Sequence, residues 1–261
     1  MEFKEKQPLY LLAEIAARLR AEDGCAWDRE QTSQTLKPYL IEESYELYDA
    51  IESNNREHMK EELGDLLYQV YAHAQIANEE KHFSIDDVAQ GIIDKLIYRH
   101  PHVFGDETIT DAKEVIDRWE KIKKTEKSHR ESILDGVPVH LPGLLKAYRV
   151  QQKVSRIGFD WEKTDDVIAK IEEELEEFKE AFKDGKKEES IDEAGDILFS
   201  MVNLLRFTGI NPEEALQRTV KKFITRFGHV EKRCDEMNRP MDEMTLEELD
   251  ALWEEAKKEK F

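Results

Sequence analysis

Four carboxylates recur in this chain with one internal spacing: Glu43, Glu46, Glu62 and Asp65, then Glu174, Glu177, Glu193 and Asp196, each member displaced by 131 residues. Within each half of a quartet the acids stand three residues apart, so on a helix they lie near one another on one face. Midway between the halves come Ser53-Asn54-Asn55 in the first copy and Asp184-Gly185 in the second, both turn-forming. A hairpin folded at Asn54 or Gly185 brings four carboxylates from two antiparallel helices to one point. Such a group repels itself unless a cation is held in it, and a set of oxygen ligands selects Mg²⁺, with Mn²⁺ able to replace it. In a chain this acidic, a single run such as Ile171-Glu-Glu-Glu-Leu-Glu-Glu-Phe178 is ordinarily solvated surface. Repetition of four acids, a turn and an apolar pattern at one displacement makes the quartets candidate metal sites.

Cationic and aromatic residues repeat as well. Lys95, Arg99 and His102 match Lys222, Arg226 and His229 at a displacement of 127, and Trp119 matches Trp253 at 134. Lys222 and Arg226 share a helical face, which suits two adjacent phosphoryl oxygens, and Trp253 offers a ring for stacking on a base. The plain alternative is a set of surface salt bridges and a core tryptophan; recurrence beside an acid quartet favours a phosphate-bearing ligand.

The elements that position these residues read as helices throughout. Leu63, Leu66, Leu67, Val70, Tyr71 and Ala74 form a helical stripe, and the positions 131 further on are Ala194, Ile197, Leu198, Met201, Val202 and Leu205, all apolar. The acids fall on the flank of this stripe, so the sequence predicts a cleft at the edge of a bundle core. Ser84 to Asp87 and Thr245 to Glu248 fit capping boxes, and Asn211-Pro212 places Pro at a first helical position. Alternating strand patterns are nearly absent, so the expected fold class is all-α, with two repeated helical-bundle domains. Gly136, Pro138, Pro142 and Gly143 concentrate at 131–143, an expected ordered connector whose Ile133, Leu134, Val137, Leu141 and Leu144 can pack. The halves are then 1–130 and 131–261, the second opening with that connector and a helix from about Leu144 to Arg156.

Composition excludes several functions. With 59 acids against 39 bases and a formal charge of −20, the bulk surface repels nucleic acid and anionic membranes, so an anionic ligand must be drawn in locally. No long apolar run suggests a membrane span, and the start Met1-Glu-Phe-Lys-Glu-Lys does not resemble a signal peptide, so a cytoplasmic location is expected. Cys25 and Cys234 are read as reduced thiols. A P-loop is absent. A ferritin-like di-iron site needs Glu-x-x-His on two helices; Glu79-x-x-His82 and Glu126-x-x-His129 occur, but the positions 127 beyond Glu79 and His82 are Arg206 and Gly209.

Glu42-Glu43-Ser-Tyr-Glu46 with Glu62-Leu-Gly-Asp65, and Glu173-Glu174-Leu-Glu-Glu177 with Glu193-Ala-Gly-Asp196, resemble the EExxE and ExxD signatures of the MazG nucleoside triphosphate pyrophosphohydrolases. The likeness extends to Gly24-Cys-Ala-Trp-Asp28, Arg99-His-Pro-His-Val-Phe104, Leu134-Asp-Gly-Val-Pro138 and Gly158-Phe-Asp-Trp161, covering essentially the whole chain in a tandem layout. It implies the all-α NTP pyrophosphatase fold, Mg²⁺-dependent cleavage of nucleoside triphosphates to monophosphate and pyrophosphate, and a homodimer. It also implies that the C-terminal copy is the active one, with Glu174, Glu177, Glu193 and Asp196 as metal ligands and Lys170, Glu189, Lys222, Arg226 and Trp253 as nucleotide contacts. At Glu189 the chain departs from the family, which often has a lysine there; Lys186 and Lys187 come slightly earlier. The first quartet is the second, weaker candidate metal site.

Glu173, a quarter-turn away from its ligand neighbours, is the candidate to orient or deprotonate an attacking water. The alternative is a regulatory nucleotide-binding helical protein with degenerate sites, a reading that fits the first copy. There His100-Pro101 should end the helix presenting Arg99, where the second copy continues with Phe227-Gly228. Preference for base or sugar depends on pocket shape and is not written in any of these motifs.

Overall fold

A computed structural model of the chain describes residues 7–105, 111, 114, 115, 118, 122 and 132–259. Trp119 and the Glu126/His129 pair lie outside the described residues. The chain divides into two compact units, Met1–Ser128 and His129–Phe261. Among the described residues every regular element is helical.

The first unit contains α1 (Pro8–Arg20), α2 (Ala26–Glu30), α3 (Lys37–Glu52), α4 (Arg56–Glu79), α5 (Ile85–Arg99) and the short α6 (Pro101–Phe104). The second contains α7 (Gly143–Ser155), α8 (Thr164–Lys183), α9 (Lys187–Phe207), α10 (Pro212–Glu236), a 3₁₀ turn at Met241–Glu243 and α11 (Leu246–Ala256). Each unit is built on a helical hairpin, α3 on α4 and α8 on α9. α1 packs on α4 in the first; α7 packs on α9 and α10 on α11 in the second.

Both hairpins bend at the residues that the spacing singled out. Asn54 has φ 53° and Gly185 φ 71°, the left-handed region that Asn tolerates and Gly adopts freely. The capping boxes at Ser84/Asp87 and Thr245/Glu248 are both formed, and the Asn211 side chain accepts from the backbone N–H groups of Glu213 and Glu214. α5 stops at Arg99 with His100 at φ −123°, ψ 57° and Pro101 opening α6, whereas α10 runs unbroken through Arg226 to Glu236. The missing N–H and ring bulk of Pro101 account for the difference.

The apolar stripe needs correction. In α4 the residues most removed from solvent are Glu62, Gln69, Ala72, Ala74, Ile76 and Ala77, while Leu63, Leu67 and Val70 of the expected core stripe are exposed. In α9, Val202 is buried but Leu198 and Met201 are exposed. The hairpin partner covers the acid-bearing flank, not the centre of the stripe, and so leaves large aliphatic side chains facing outward. The connector is ordered by polar ties more than by packing: Lys153 Nζ donates to the Ile133 carbonyl at 2.9 Å and Lys146 Nζ to the Val139 carbonyl at 3.3 Å, with Ile133 and Leu134 exposed.

Candidate metal and nucleotide site

In the second unit the α8–α9 hairpin brings carboxylate oxygens of Glu174, Glu177 and Glu193 within 4.8 Å of one another. Glu174 is 5% exposed and Glu193 half-buried. Partial burial, then the charges of Glu177, Glu174 and Asp196, push the Glu193 carboxyl above its ordinary range. Asp196, the fourth expected ligand, is outside this tight group. It lines the adjoining cleft together with Glu174. Clustered carboxylates with one member buried fit a hard divalent cation, which takes oxygen ligands and offsets their repulsion.

One turn before Glu174, Lys170 Nζ lies 2.9 Å from both Glu173 and Glu174. Hydrogen bonds to Glu174 and Glu173 hold this ammonium firmly in its charged form. Lys170 also lines the cleft, a cavity of about 560 Å³. Its far wall comes from α7, the bend at Gly158 and the outer half of α9. Gly158, at φ 86°, turns the chain after α7 and delivers Phe159 and Trp161 to the rim. Asp160 accepts from Arg206 Nη1 at 3.0 Å and from Nη2, while Asn203 Oδ1 accepts from Arg206 Nε at 3.1 Å and Nη2 at 2.8 Å. Gln151, 4% exposed, donates through Nε2 to the Phe199 carbonyl at 2.8 Å. Its Oε1 is buried and accepts no hydrogen bond from the described residues, a state that costs about 1–3 kcal/mol unless a ligand or water supplies a donor.

The other expected contacts go elsewhere. Glu173 is exposed and tied to Lys170. Glu189 is exposed and bonded to Lys186 at 2.8 Å, so its neighbour and not the cleft takes its charge. Trp253 packs against Phe223 with ring centroids 5.0 Å apart, beside the buried cluster of Val230, Cys234 and Leu252. The Arg226 guanidinium lies 6.0 Å from the Trp253 ring, a cation–π distance. Lys222 is exposed on the same helix. Lys222, Arg226 and Trp253 therefore form an α10–α11 patch apart from the cleft lining. On the same helix pair His229 is flanked by Glu255 at 3.5 Å and Glu259 at 3.3 Å, and Arg233 Nε also meets Glu255 at 3.1 Å.

The first copy reproduces the acids but not their surroundings. Oxygens of Glu43, Glu62 and Asp65 gather within 4.8 Å, with Glu46 outside the group. Glu62 is 7% exposed and meets His58 Nε2 at 2.9 Å. Burial, then Asp65 and Glu46, raise the Glu43 carboxyl. Where the second copy has Lys170, the residue 131 earlier is Tyr39; where it has Asn203 and Arg206, the first has Ala72 and Gln75. Leu36, Ala72 and Ile76 join in one buried cluster with Tyr68 packed on it.

Reading the sequence did not select Gln151, Phe159, Asn203 or Arg206 as site residues. A signal was present for Asn203, an amide inside the otherwise apolar run Met201-Val-Asn-Leu-Leu205 that replaces an alanine of the first copy, whereas Gln151 stands in the polar stretch Gln151-Gln-Lys153 and carries no such mark.

Two family models match the chain: the MazG nucleotide pyrophosphohydrolase domain over residues 31–104 and phosphoribosyl-ATP pyrophosphohydrolase over residues 149–222. The nucleoside triphosphate pyrophosphohydrolase/pyrophosphatase MazG of Thermotoga maritima is 47% identical over 94% of this chain and 94% of its own length. The nucleoside triphosphate pyrophosphohydrolase of Escherichia coli K12 is 41% identical over 96% of this chain and 97% of its own. The uncharacterized protein YabN of Bacillus subtilis is 46% identical over 97% of this chain, which spans 53% of that protein. Tandem acid hairpins, an all-helical fold and relatives matched along nearly their full length agree, and the chain belongs to the MazG family of nucleoside triphosphate pyrophosphohydrolases.

Proposed function

We propose that the second copy hydrolyses nucleoside triphosphates between the α and β phosphates, with the triphosphate over the Glu174/Glu177/Glu193 cluster and the nucleoside in the cleft beside it. The observation that carries this reading is the continuity of one cavity from buried carboxylate, Glu174, past a cation, Lys170, to aromatic residues, Phe159 and Trp161. Glu174, Glu177 and Glu193, with Asp196 from the cleft side, are the residues to hold Mg²⁺, for which Mn²⁺ can substitute. Bound there, the ion neutralises phosphate charge and lowers the pKa of an attacking water.

The protein's own groups do the rest. Lys170, paired with Glu173 and Glu174 in this structure, is placed to transfer its hydrogen bonds to a phosphate oxygen. That exchange releases the Glu173 carboxylate to accept the proton of water as the water oxygen bonds to phosphorus. The α–β bridge then breaks and pyrophosphate leaves. Lys222, Arg226 and Trp253 remain candidate nucleotide contacts if the α10–α11 patch meets the site across a dimer. Large exposed side chains on α10, Leu216, Val220, Phe223 and Ile224, and the outward α9 residues Leu198 and Met201 support a homodimer. Glu189, bonded to Lys186, has the weakest support as a nucleotide contact. No described helix is long and apolar enough to cross a membrane. That, with two free cysteines, supports the cytoplasm as the place of action.

A panel of nucleoside triphosphates assayed with Mg²⁺, with and without chelator, tests the reading when monophosphate and pyrophosphate are measured separately. Equal amounts of the two, lost in excess EDTA, are expected. Orthophosphate as the only product, or full turnover in chelator, overturns it. Sedimentation of the intact protein tests the dimer.

A further inference from the structure

The cleft beside the acid cluster contains two amide side chains that cannot turn over. An Asn or Gln amide is ordinarily ambiguous, because its oxygen and nitrogen ends exchange by a half-turn. Here each has a partner of a single kind. Asn203 faces the Arg206 guanidinium, which has donors and no acceptor, so Asn203 must present Oδ1 to it, at 2.8 and 3.1 Å. Arg206 is itself held by Asp160 through both Nη groups. Gln151 faces the Phe199 carbonyl, an acceptor alone, so it must present Nε2, at 2.8 Å. What remains for the cleft is an amide donor, Asn203 Nδ2, and a buried acceptor, Gln151 Oε1, that bonds nothing among the described residues. Phe199 and Asn203 are one helical turn apart on α9, so the carbonyl that fixes Gln151 is adjacent to the residue that carries the donor.

Resting on the reading that this cleft takes the nucleoside, we propose that Gln151 and Asn203 read the nucleobase edge as a fixed acceptor–donor pair, with Arg206 the positioning residue that sets the polarity of Asn203. The consequence follows from base chemistry. Along its hydrogen-bonding edge adenine offers a donor then an acceptor, and cytosine does the same from its amino group. Guanine offers an acceptor followed by donors. Uracil and thymine offer acceptor, donor, acceptor, and so match a protein pair of either order. A pair that cannot flip therefore separates guanine from adenine and cytosine and accepts uracil in both cases. A pair that can flip separates none of them.

The test is kcat/KM for GTP, ATP, CTP and UTP, read by pyrophosphate release, in the parent and in single variants. In the parent, ATP and CTP should fall on one side and GTP on the other, at least about tenfold apart, with UTP near the better class. Asn203→Asp keeps an oxygen for Arg206 but puts a second acceptor in the cleft, and only guanine has two adjacent donors. The ratio of GTP to ATP should then rise at least about tenfold. Asn203→Ser, whose hydroxyl both donates and accepts, should bring the parent's two classes together and serves if the Asp variant fails to fold. Arg206→Gln should erase the base preference mainly through KM, with Arg206→Lys restoring part of it by donating to Asn203 Oδ1. A merely structural role for Arg206 would lower kcat for all four substrates alike. Equal kcat/KM for GTP, ATP and CTP in the parent, or an unchanged GTP to ATP ratio in the folded Asn203 variants, overturns the proposal. No pyrophosphate from any triphosphate with the parent instead overturns the underlying assignment of function.

Discussion

The two copies make the same acid hairpin and surround it differently. In both, three carboxylates from adjacent helices meet, and one of them, Glu62 or Glu174, is buried. What differs is the next layer. Beside Glu174 are a lysine and a cleft with two polarity-locked amides; in the first copy the residues matching Lys170 and Asn203 are Tyr39 and Ala72, and Leu36, Ala72 and Ile76 pack together. Glu62 meets His58, whereas the residue matching His58 in the second copy is Glu189, which turns to Lys186. Carboxylates alone are compatible with a bland structural role; a site for a triphosphate also needs a cation to meet phosphate and room for a nucleoside. We read the first copy as the one that exchanged this room for packing.

The comparison breaks most directly at the matched acids of the two quartets. Glu174→Gln should lower turnover more than about 100-fold, since even groups that only orient metal ligands cost 10–100-fold, while Glu43→Gln should leave most activity. The same contrast is expected for Asp196→Asn and Asp65→Asn. The reverse result would exchange the roles of the copies, and comparable partial losses would make both catalytic.

Packing gives the opposite asymmetry. Ile76→Ala empties part of the first copy's cluster and should cost about 2–5 kcal/mol of stability by urea titration, with KM unchanged. If KM rises as much as stability falls, the first copy is contributing to substrate binding.

Metal binding should appear as heat stability. At 100 times its dissociation constant a native-state ligand adds about 2.7 kcal/mol. Glu193→Gln removes one of the self-repelling acids, so without metal it should melt at or above the parent temperature, yet gain little when Mg²⁺ is added. Loss of helicity in that variant would make the acids structural.

Lys170→Tyr converts one position of the second copy to its counterpart in the first. Replacing one phosphate contact should reduce kcat/KM about tenfold or more, near 1.4 kcal/mol, and Tyr39→Lys should add no activity. A gain from Tyr39→Lys would mean that the first copy lacks only its cation.

The smallest expected effect is at Arg20, which bonds Glu79 at 2.9 to 3.1 Å in the first unit. Arg20 holds the Glu79 carboxyl below its ordinary range. A folded pKa below the unfolded one gives stability that is present above the unfolded value and lost as pH falls through the folded value. Arg20→Gln should therefore cost about 1 kcal/mol near neutrality, the scale of a partly exposed pair, and less in acid. A cost that does not change with pH would assign Arg20's contribution to its packing and to the hydrogen bonds that its Nη1 donates to the Asp28 and Gln31 carbonyls.

The sequence by itself determined the helical class, the two acid hairpins with their turns at Asn54 and Gly185, the caps, and the break after Arg99. These are local matters: helical periodicity, a side chain within three residues of a helix start, a backbone angle that Asn or Gly adopts, a missing N–H. Tertiary structure decided which face of each helix is covered. The stripe of Leu63, Leu67 and Val70 reads as core by its spacing, yet the partner helix covers the flank bearing Glu62, because burial depends on what a helix meets and not on its own pattern. It also decided the cleft. Gln151, Asp160, Asn203 and Arg206 are spread over more than 50 residues of sequence; Asn203 and Arg206 are paired three residues apart within α9, but the Phe199 carbonyl that orients Gln151 and the Asp160 carboxylate that holds Arg206 reach their partners only through the packing of α7 and the Gly158 bend on α9. Likewise Lys222, Arg226 and Trp253 are recognisable as a phosphate and ring set, but their place on α10 and α11, away from the cleft, follows from the packing of those helices on each other.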